Sequence, residues 1–438
     1  MIRSLTTGGI SFGHFSTSPP PIQPTETNTS SQKECGWGMF YVYELPEMFN
    51  KELFDKCDEL NPWNSRCVAL SNHGFGPRAV TLGGVVPENL TSAWFWTDQF
   101  AAEIIFHNRV MGHKCRTLEP EGATGFYVPF YAGLAVGKYL WSDNFSARDR
   151  DFHSVMLLKW LQEQLFWKRS YGWDHFIMMG RISWDFRRSR DSDWGSSFIY
   201  MPAMLNVTRL LIERNPWDYF DVGVPYPTGF HPRSDTDIVE WQNYVGARNR
   251  TSLYSFAGAT RADIKDDFRG FVMNNCYNES VKCRVVDCAK TKCSNGSSAI
   301  LEAFLSSDFC LQPRGDSFTR RSIFDCMIAG SIPVFFWHRT AYYQYNWFLP
   351  VEPESYSVFI DRRDVKNGTS IRVVLEKISK RDVERMRAKV IEYIPRLVYA
   401  EPREGLETIK DAFDVAIDGV LRRFREQIDR NGNSTRMW

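Results

Sequence analysis

The sequence predicts an α/β protein made of two doubly wound, Rossmann-like domains facing a cleft, and three observations predict it. At 438 residues the chain is too long for one compact domain and long enough for two, each burying its own core. Short apolar runs alternate with stretches of helical apolar spacing, the order of a parallel sheet with helices on both faces. The clearest such unit is DFCLQPRGDSFTRRSIFDCMIAGSIPVFF, residues 308–336. Phe309, Cys310 and Leu311 form one apolar run, which Pro313 and Gly315 break. Phe318, Ile323, Phe324, Met327 and Ile328 then recur at helical spacing, Gly330 ends the helix, and 332–336 is a second strand. So short a β-α-β unit joins a parallel pair through one helix.

Taken in order, residues 1–34 are rich in Ser, Thr, Pro and Gly and are expected to be disordered. A first domain is read over 35–230, with strands at 39–43, 125–130, 176–179 and 219–224. Its helices are placed at 94–110, where Phe95, Ile104, Ile105 and Val110 are apolar, and at about 152–166. Ligands bind at the carboxyl ends of such strands. Asp174 and His175 precede their strand and should point away from the cleft, whereas Arg181, Trp184 and Asp185 follow it and should face it. The polar run 231–250, from His231 to Arg250, reads as the interdomain connection. A second domain over 251–404 opens with a strand at 252–256 and the loop AGATR, in which Gly258 followed by Arg261 is either a phosphate contact or a surface arginine. Beyond the central unit come a strand-like stretch at 356–360 and helices near 370–378, 381–393 and 406–424. The last belongs to a C-terminal segment, 405–428, followed by a tail, 429–438.

The helix of the central unit carries the candidate chemistry. Asp316 or Ser317 is placed to cap it, and Arg320 and Arg321 fall in its first turn. Two guanidinium groups have the wrong sign for the positive end of a helix dipole, so a bound phosphate is a reason to put them there. The alternative is one solvated arginine and one paired with Asp316 or Asp325. Asp325, a turn further on, is placed to accept bonds from a ribose diol.

Composition narrows the class. A net charge of +1 gives no reason to expect nucleic acid or an anionic membrane surface. Aromatic residues make up 15%, including 15 Trp, which favours a ligand with flat apolar faces such as a sugar. Asn28, Asn89, Asn144, Asn206, Asn249, Asn278, Asn295, Asn367 and Asn433 each begin an Asn-X-Ser/Thr triplet, against roughly 3 expected by chance. These sequons point to a secretory address. So do ten cysteines, of which Cys276, Cys283, Cys288 and Cys293 crowd one polar segment. Disulfides are expected there in one of three pairings, with a zinc site as the alternative, disfavoured for want of a Cys-x-x-Cys pair. Three Asp-x-Asp triplets, at 149 and 151, 191 and 193, and 235 and 237, lie in charged stretches rather than at strand ends. They read as acidic loops, so no metal is expected and arginines take over its charge-neutralising task.

The central pattern, FCLxPxGDSxTRRSxFDxMxAGxIPVFF, resembles the donor site of the exostosin-like glycosyltransferases, and within them the plant xyloglucan galactosyltransferase group. FYVYELP (40–46), FYVPFYAG (126–133), WDHFIMMGRISWDFRR (173–188), VPYPTGFHP (224–232), SFAGATR (255–261) and IPRLVYAEPR (394–403) match in the same order. The resemblance implies a GT-B fold with a C-terminal helix crossing back to the first domain, the acceptor held by the first domain and a UDP-sugar by the second. It implies transfer of galactose from UDP-galactose to xylosyl side chains of xyloglucan, with inversion and no cofactor. Arg261, Gly315, Asp316, Ser317, Arg320, Arg321 and Asp325 are then donor-binding, and Tyr131, Arg181 and Trp184 acceptor-binding. Asp185 and His231 are candidates for the base that inversion requires. Asp185 has a structural alternative, pairing with Arg181, Arg187 or Arg188, and His231 another, capping a turn. A sister activity, transferring galacturonic acid or a pentose to xyloglucan, remains open, as does a non-catalytic carbohydrate-binding relative, against which the Arg320, Arg321 and Asp325 cluster argues. The resemblance also implies a Golgi lumen address behind an N-terminal membrane anchor, and complexes with other wall-synthesis transferases. No stretch approaches 18 continuous apolar residues, so the sequence reads as truncated ahead of a polar stem.

Overall fold

The computed structural model describes residues 35–434 apart from 142–143, 261–266, 292 and 294–296. Residues 1–34, the last four residues and Arg261, for which expectations were given above, fall outside the described residues. Two sheets organise the rest. The first contains β1 (Phe40–Val42), β2 (Arg116–Thr117), β3 (Gly125–Tyr127), β4 (His175–Met178), β5 (Thr208–Leu211) and β6 (Asp221–Gly223), in the order β2-β1-β3-β4-β5-β6. The second contains β7 (Ser252–Gly258), β8 (Cys283–Asp287), β9 (Ser307–Gln312), β10 (Ile332–Phe335) and β11 (Val358–Phe359), in the order β11-β10-β9-β7-β8. Every pairing in both is parallel, which is the expected doubly wound α/β class. In each sheet the order reverses beside the first strand, giving switch points between β1 and β3 and between β7 and β9.

Strands that read clearly in the sequence are those buried on both faces, such as β4 and β10, where every residue is buried. β5 escaped because Thr208 and Arg209 interrupt its apolar run. Arg209 is nonetheless 1% exposed, its charge met by Asp221 and Asp218 at 2.7 Å each and a further N–H donated to the Met204 carbonyl. A buried arginine is tolerable only with such partners.

Three helices differ from expectation. The one read over 94–110 is Ala102–Gly112, because Trp94 is extended and the Phe95 N–H bonds across to the Gly229 carbonyl. The one read over 318–329 is Arg321–Ile328, with Arg320 at its N-cap and no side-chain cap bond, so neither Asp316 nor Ser317 caps it. The supposed connection contains a packed helix, Asp235–Ala247, capped by Ser234. Its fully buried Trp241 donates from Nε1 to the Ile328 carbonyl at 2.8 Å.

The chain crosses between the sheets twice, once ahead of that helix and once between the Ile394–Leu397 turn and the Ala412–Ser434 helix. This final helix packs on the first sheet: Phe424 faces Phe176, and a side chain at Gly125 would strike its ring at 2.9 Å. One apolar cluster joins residues of both sheets, Phe40 and Phe176 of the first and Cys310 and Phe335 of the second, with Phe324, Tyr345 and Phe413 packed among them.

All ten cysteines are paired: Cys35–Cys115, Cys57–Cys67, Cys276–Cys283, Cys288–Cys293 and Cys310–Cys326. The four crowded cysteines therefore form two short bridges and no zinc site. Peptide mapping of non-reduced protein should recover these two pairs, and four free thiols under native alkylation would rule them out. Of the sequon asparagines with described side chains, Asn89, Asn144, Asn249, Asn278 and Asn367 are exposed and Asn206 is half-buried. No helix among the described residues is long and apolar enough to cross a membrane.

Candidate active-site cleft

A cleft of about 640 Å³ opens at the carboxyl ends of β7 and β9, the switch point of the second sheet. Gly258 and Gln312 end those two strands on its floor. Arg320, Arg321, Ser322 and Asp325 form the wall on the second domain, while Arg66, Asp98, Gln99 and Phe100 come from the first. The start of the Arg321–Ile328 helix is fixed to β9 by Gln312, which accepts from the Ser322 hydroxyl at 2.8 Å and donates to the Ser322 carbonyl.

The cleft is cationic. Arg66, Arg269, Arg320 and Arg321 line it, against the two carboxylates Asp98 and Asp325. Arg321 is buried, donates to the Thr97 carbonyl across the domain junction, and reaches Asp325 at 3.2 Å. Burial raises the Asp325 carboxyl above its ordinary value, an effect that Arg321 opposes. The Arg320 guanidinium lies against Gly315, where any side chain would overlap it, so Gly315 acts by leaving room rather than by touching a ligand. Asp316 and Ser317 belong to the same loop but not to the cleft lining; Ser317 accepts the Gly315 N–H at its carbonyl. The far end of the loop is anchored by Thr319, whose N–H and hydroxyl both donate at 2.9 Å to Glu213 of the first domain.

Sequence reasoning missed Arg66, Asp98, Phe100 and Arg269. Arg66 pairs with Asp98 at 2.7 Å, and the Phe100 N–H donates to the other Asp98 oxygen at 2.8 Å. Arg269 lies in the first turn of the Phe268–Asn278 helix, its Nη2 3.1 Å from where a side chain at Gly258 would begin. No local signal marks these residues, because the fold alone brings 66, 98, 269 and 321 together.

On the first domain, Arg181 lies behind the cleft wall, its guanidinium 4.2 Å above the ring of Phe100, which lines the cleft where Arg181 does not. Asp185 is 3% exposed, accepting from Arg181 Nε at 2.6 Å and from Trp194 Nε1 at 2.8 Å. The arginine-pair alternative thus describes Asp185, which positions Arg181. Trp184, on the same short helix, is 65% exposed. Tyr131 is buried among apolar side chains and its hydroxyl is bonded to His107 Nδ1 at 2.8 Å, so it lies in the core rather than on the acceptor wall.

His231 is fully buried under the Phe75 ring. Its Nδ1 faces the Tyr399 carbonyl at 2.7 Å, which can only accept, and its Nε2 faces the Thr97 hydroxyl at 2.8 Å. Burial pulls the imidazole down to about 3. Both nitrogens are committed to the domain junction, and the base role expected of His231 does not fit that placement. Asp174 and His175 do sit at the opposite, amino end of β4, bonded to each other at 2.7 Å.

Glu103 is a perturbed carboxyl packed behind Arg181. It is buried, and accepts the Gly133 and Leu134 N–H groups at 2.8 and 2.9 Å. Burial pushes it up to about 8 despite those bonds and Arg181. Between its ordinary 4.5 and that value the unfolded chain ionises this group while the folded chain keeps its proton, so Glu103 makes the native state lose stability as pH rises. The melting temperature of Glu103→Gln relative to the parent should therefore climb between about pH 5 and about pH 8. A difference flat across that range would contradict the assignment.

The Asp-x-Asp triplets are spent on structure. Asp149 closes a capping box with Ser146 at the start of the Ala147–Glu163 helix, and Asp151 braces Arg188, Ser196 and Ser197. Asp191 pairs with Arg188, Asp193 accepts from Ser189 and Arg190, Asp235 from Thr408 and Asp237 from Arg233. Two of the triplets open helices rather than lying in loops.

Parallel lobes sharing a cleft at a switch point are the GT-B arrangement of glycosyltransferases. Within that class the chain belongs to the exostosin family, whose GT47 domain matches residues 39–375. It is 66% identical over 396 residues to xyloglucan galactosyltransferase XLT2 of Arabidopsis thaliana, covering 90% of this chain and 76% of that one. It is 43% identical to xyloglucan galactosyltransferase MUR3 and 40% identical to xyloglucan-specific galacturonosyltransferase 1 of the same plant. Those matches cover 91% and 92% of this chain but 64% and 59% of the relatives. A solved chain of the GtfA/B complex aligns with TM-score 0.30 and 8% identity, covering 63% of this chain and 61% of that one; the fold assignment rests on the two sheets themselves.

Proposed function

We propose that this chain transfers galactose from UDP-galactose to xylosyl side chains of xyloglucan, with inversion at the anomeric carbon, in the Golgi lumen. The observation that carries the donor half is the four-arginine cleft at the switch point of the second sheet. The relatives named for xyloglucan support the acceptor half. Arg320, Arg321 and the free amides of the Arg321–Ile328 helix hold the diphosphate. The bonds from Arg321 to Asp325, 3.2 and 3.4 Å long, leave that carboxylate lone pairs for the ribose diol. Charge builds on the leaving diphosphate in the transition state, where fixed guanidinium groups are most effective.

UDP release measured with a panel of UDP-sugars and xyloglucan oligosaccharides tests the reading. UDP-galactose with xyloglucan should be the fastest pair. The panel includes UDP-galacturonic acid because a relative 40% identical is named for that sugar. Fastest turnover with another donor would assign a sister activity, and none with any donor would overturn catalysis. The donor site is proposed to work without a cation, so excess EDTA should leave turnover within about twofold. Loss restored by manganese would refute that part.

A further inference from the structure

A row of three tryptophans lies on the surface of the first domain, outside the cleft lining. Trp63 and Trp141 have ring centroids 5.8 Å apart, and Trp141 and Trp194 5.5 Å. Their planes are inclined at 58° and 71°, so the row is faceted rather than flat. Tryptophans gathered only for cohesion bury their faces, yet Trp63 is 66% exposed and Trp141 and Trp194 38% each.

Both ends of the row connect with the cleft. Trp194 donates to Asp185, which holds Arg181 over Phe100 on the cleft wall. Trp63 sits in the loop closed by Cys57–Cys67, and the same loop sends Arg66 to Asp98 in the cleft. Around Trp63 the loop presents Asn61, Asn64 and Ser65, neutral groups that bond hydroxyls without demanding charge.

We propose that Trp63, Trp141 and Trp194 are a binding track for a neutral polysaccharide, carrying the acceptor chain into the cleft. This rests on the transferase reading above and adds where the polymer lies. A pyranose ring has apolar C–H faces and a rim of hydroxyls, so it stacks on an aromatic face while its rim stays hydrated. Centroid spacings of 5.5–5.8 Å are of the order of one sugar unit along a chain, and the inclined planes suit a chain that twists. The loop that carries Trp63 also supplies Arg66 to the cleft, and Trp194 is bonded to the Asp185 that holds Arg181 against Phe100; this link to a sugar-transfer cleft favours a glycan over a protein partner. Such a track makes polymer a better acceptor than a short oligosaccharide, since distant units contribute binding that the oligosaccharide lacks.

The test compares Trp63→Ala with Trp141→Ala in one protein, Trp63→Tyr, and Trp217→Ala as a control at an exposed tryptophan tilted against Tyr343 elsewhere. Native gels cast with soluble xyloglucan, glucomannan or mixed-linkage β-glucan read polymer binding without turnover. The parent should be retarded by xyloglucan and the double variant should not, with Trp63→Tyr intermediate and Trp217→Ala like the parent. KM for polymeric xyloglucan should rise about tenfold or more in the double variant, while KM for a xyloglucan heptasaccharide and for UDP-galactose moves about twofold or less.

Unchanged retardation in a double variant folded by circular dichroism overturns the track, as does an equal rise in KM for polymer and heptasaccharide. A change of oligomeric state with retardation intact assigns the row to a protein contact and overturns it too. A parent retarded only by another of the polysaccharides, with the retardation lost in the double variant, supports the track while removing xyloglucan as acceptor. A parent retarded by none of them sinks the track whatever the enzyme transfers.

Discussion

Arg320→Ala and Arg321→Ala are each expected to weaken binding of UDP and UDP-sugar about 10- to 150-fold, the equivalent of one charge-assisted contact of roughly 1.5–3 kcal/mol. Turnover should fall as well, because the leaving diphosphate gains charge in the transition state. Arg321 also holds the Thr97 carbonyl across the domain junction, so its loss should lower the melting temperature as well. Lysine at either position should recover part of the affinity, since one ammonium cannot make a forked contact. Asp325→Asn should weaken nucleotide binding and leave the rate at saturation nearer the parent's. Calorimetric titration with UDP decides the matter. If both alanine variants, folded by circular dichroism, bind UDP like the parent, the donor site has been placed on the wrong element.

The second large effect is expected at a buried ion pair. Arg109, on the Ala102–Gly112 helix, pairs with Asp411, which immediately precedes the Ala412–Ser434 helix, and both side chains are fully buried. Asp411 also accepts the Ala400 N–H at 2.7 Å and the Asp414 N–H at 2.9 Å. Asp411→Ala removes these bonds and leaves the buried guanidinium with Asp414, at 3.3 Å, in place of two carboxylates. The expected loss is about 3 kcal/mol, read as an earlier urea midpoint. Changing both partners, Arg109→Met with Asp411→Leu, should recover part of it, because the buried guanidinium is then removed with its closer partner while Asp414 keeps His113 at 3.4 Å. A midpoint for Asp411→Ala indistinguishable from the parent's would show that Asp414 alone satisfies Arg109.

What was legible in the sequence follows from where each signal was stored. β9, the Arg321–Ile328 helix and β10 were readable because period, breaker and stop lie within 30 residues, down to Gly330 with its φ of +66°. Arg320, Arg321 and Asp325 came with them, since one helix turn carries all three into the cleft. The facing wall was not legible. Arg66 reaches Asp98 from a loop that the Cys57–Cys67 disulfide closes, and neither position differs locally from a surface charge. His231 shows the converse error. A polar residue near a domain boundary reads as catalytic, but its ring is bonded to a carbonyl 168 residues away. Tyr131 was misplaced for the same reason, a hydroxyl read as available that the fold had already given to His107.

The double crossing between the lobes has a mechanical consequence. A chain that passes once between two bodies leaves them free to swivel in any direction. Here the two passages are tied to each other, Glu401 N–H to the Pro232 carbonyl at 2.9 Å and His231 to Tyr399 at 2.7 Å. Two passages bonded side by side restrain relative rotation at one place, and the bonds from Arg321 to the Thr97 carbonyl and from Thr319 to Glu213 restrain it at others. A ligand that wedges the donor cleft apart must therefore break bonds across the junction, whereas one that clamps it leaves them intact.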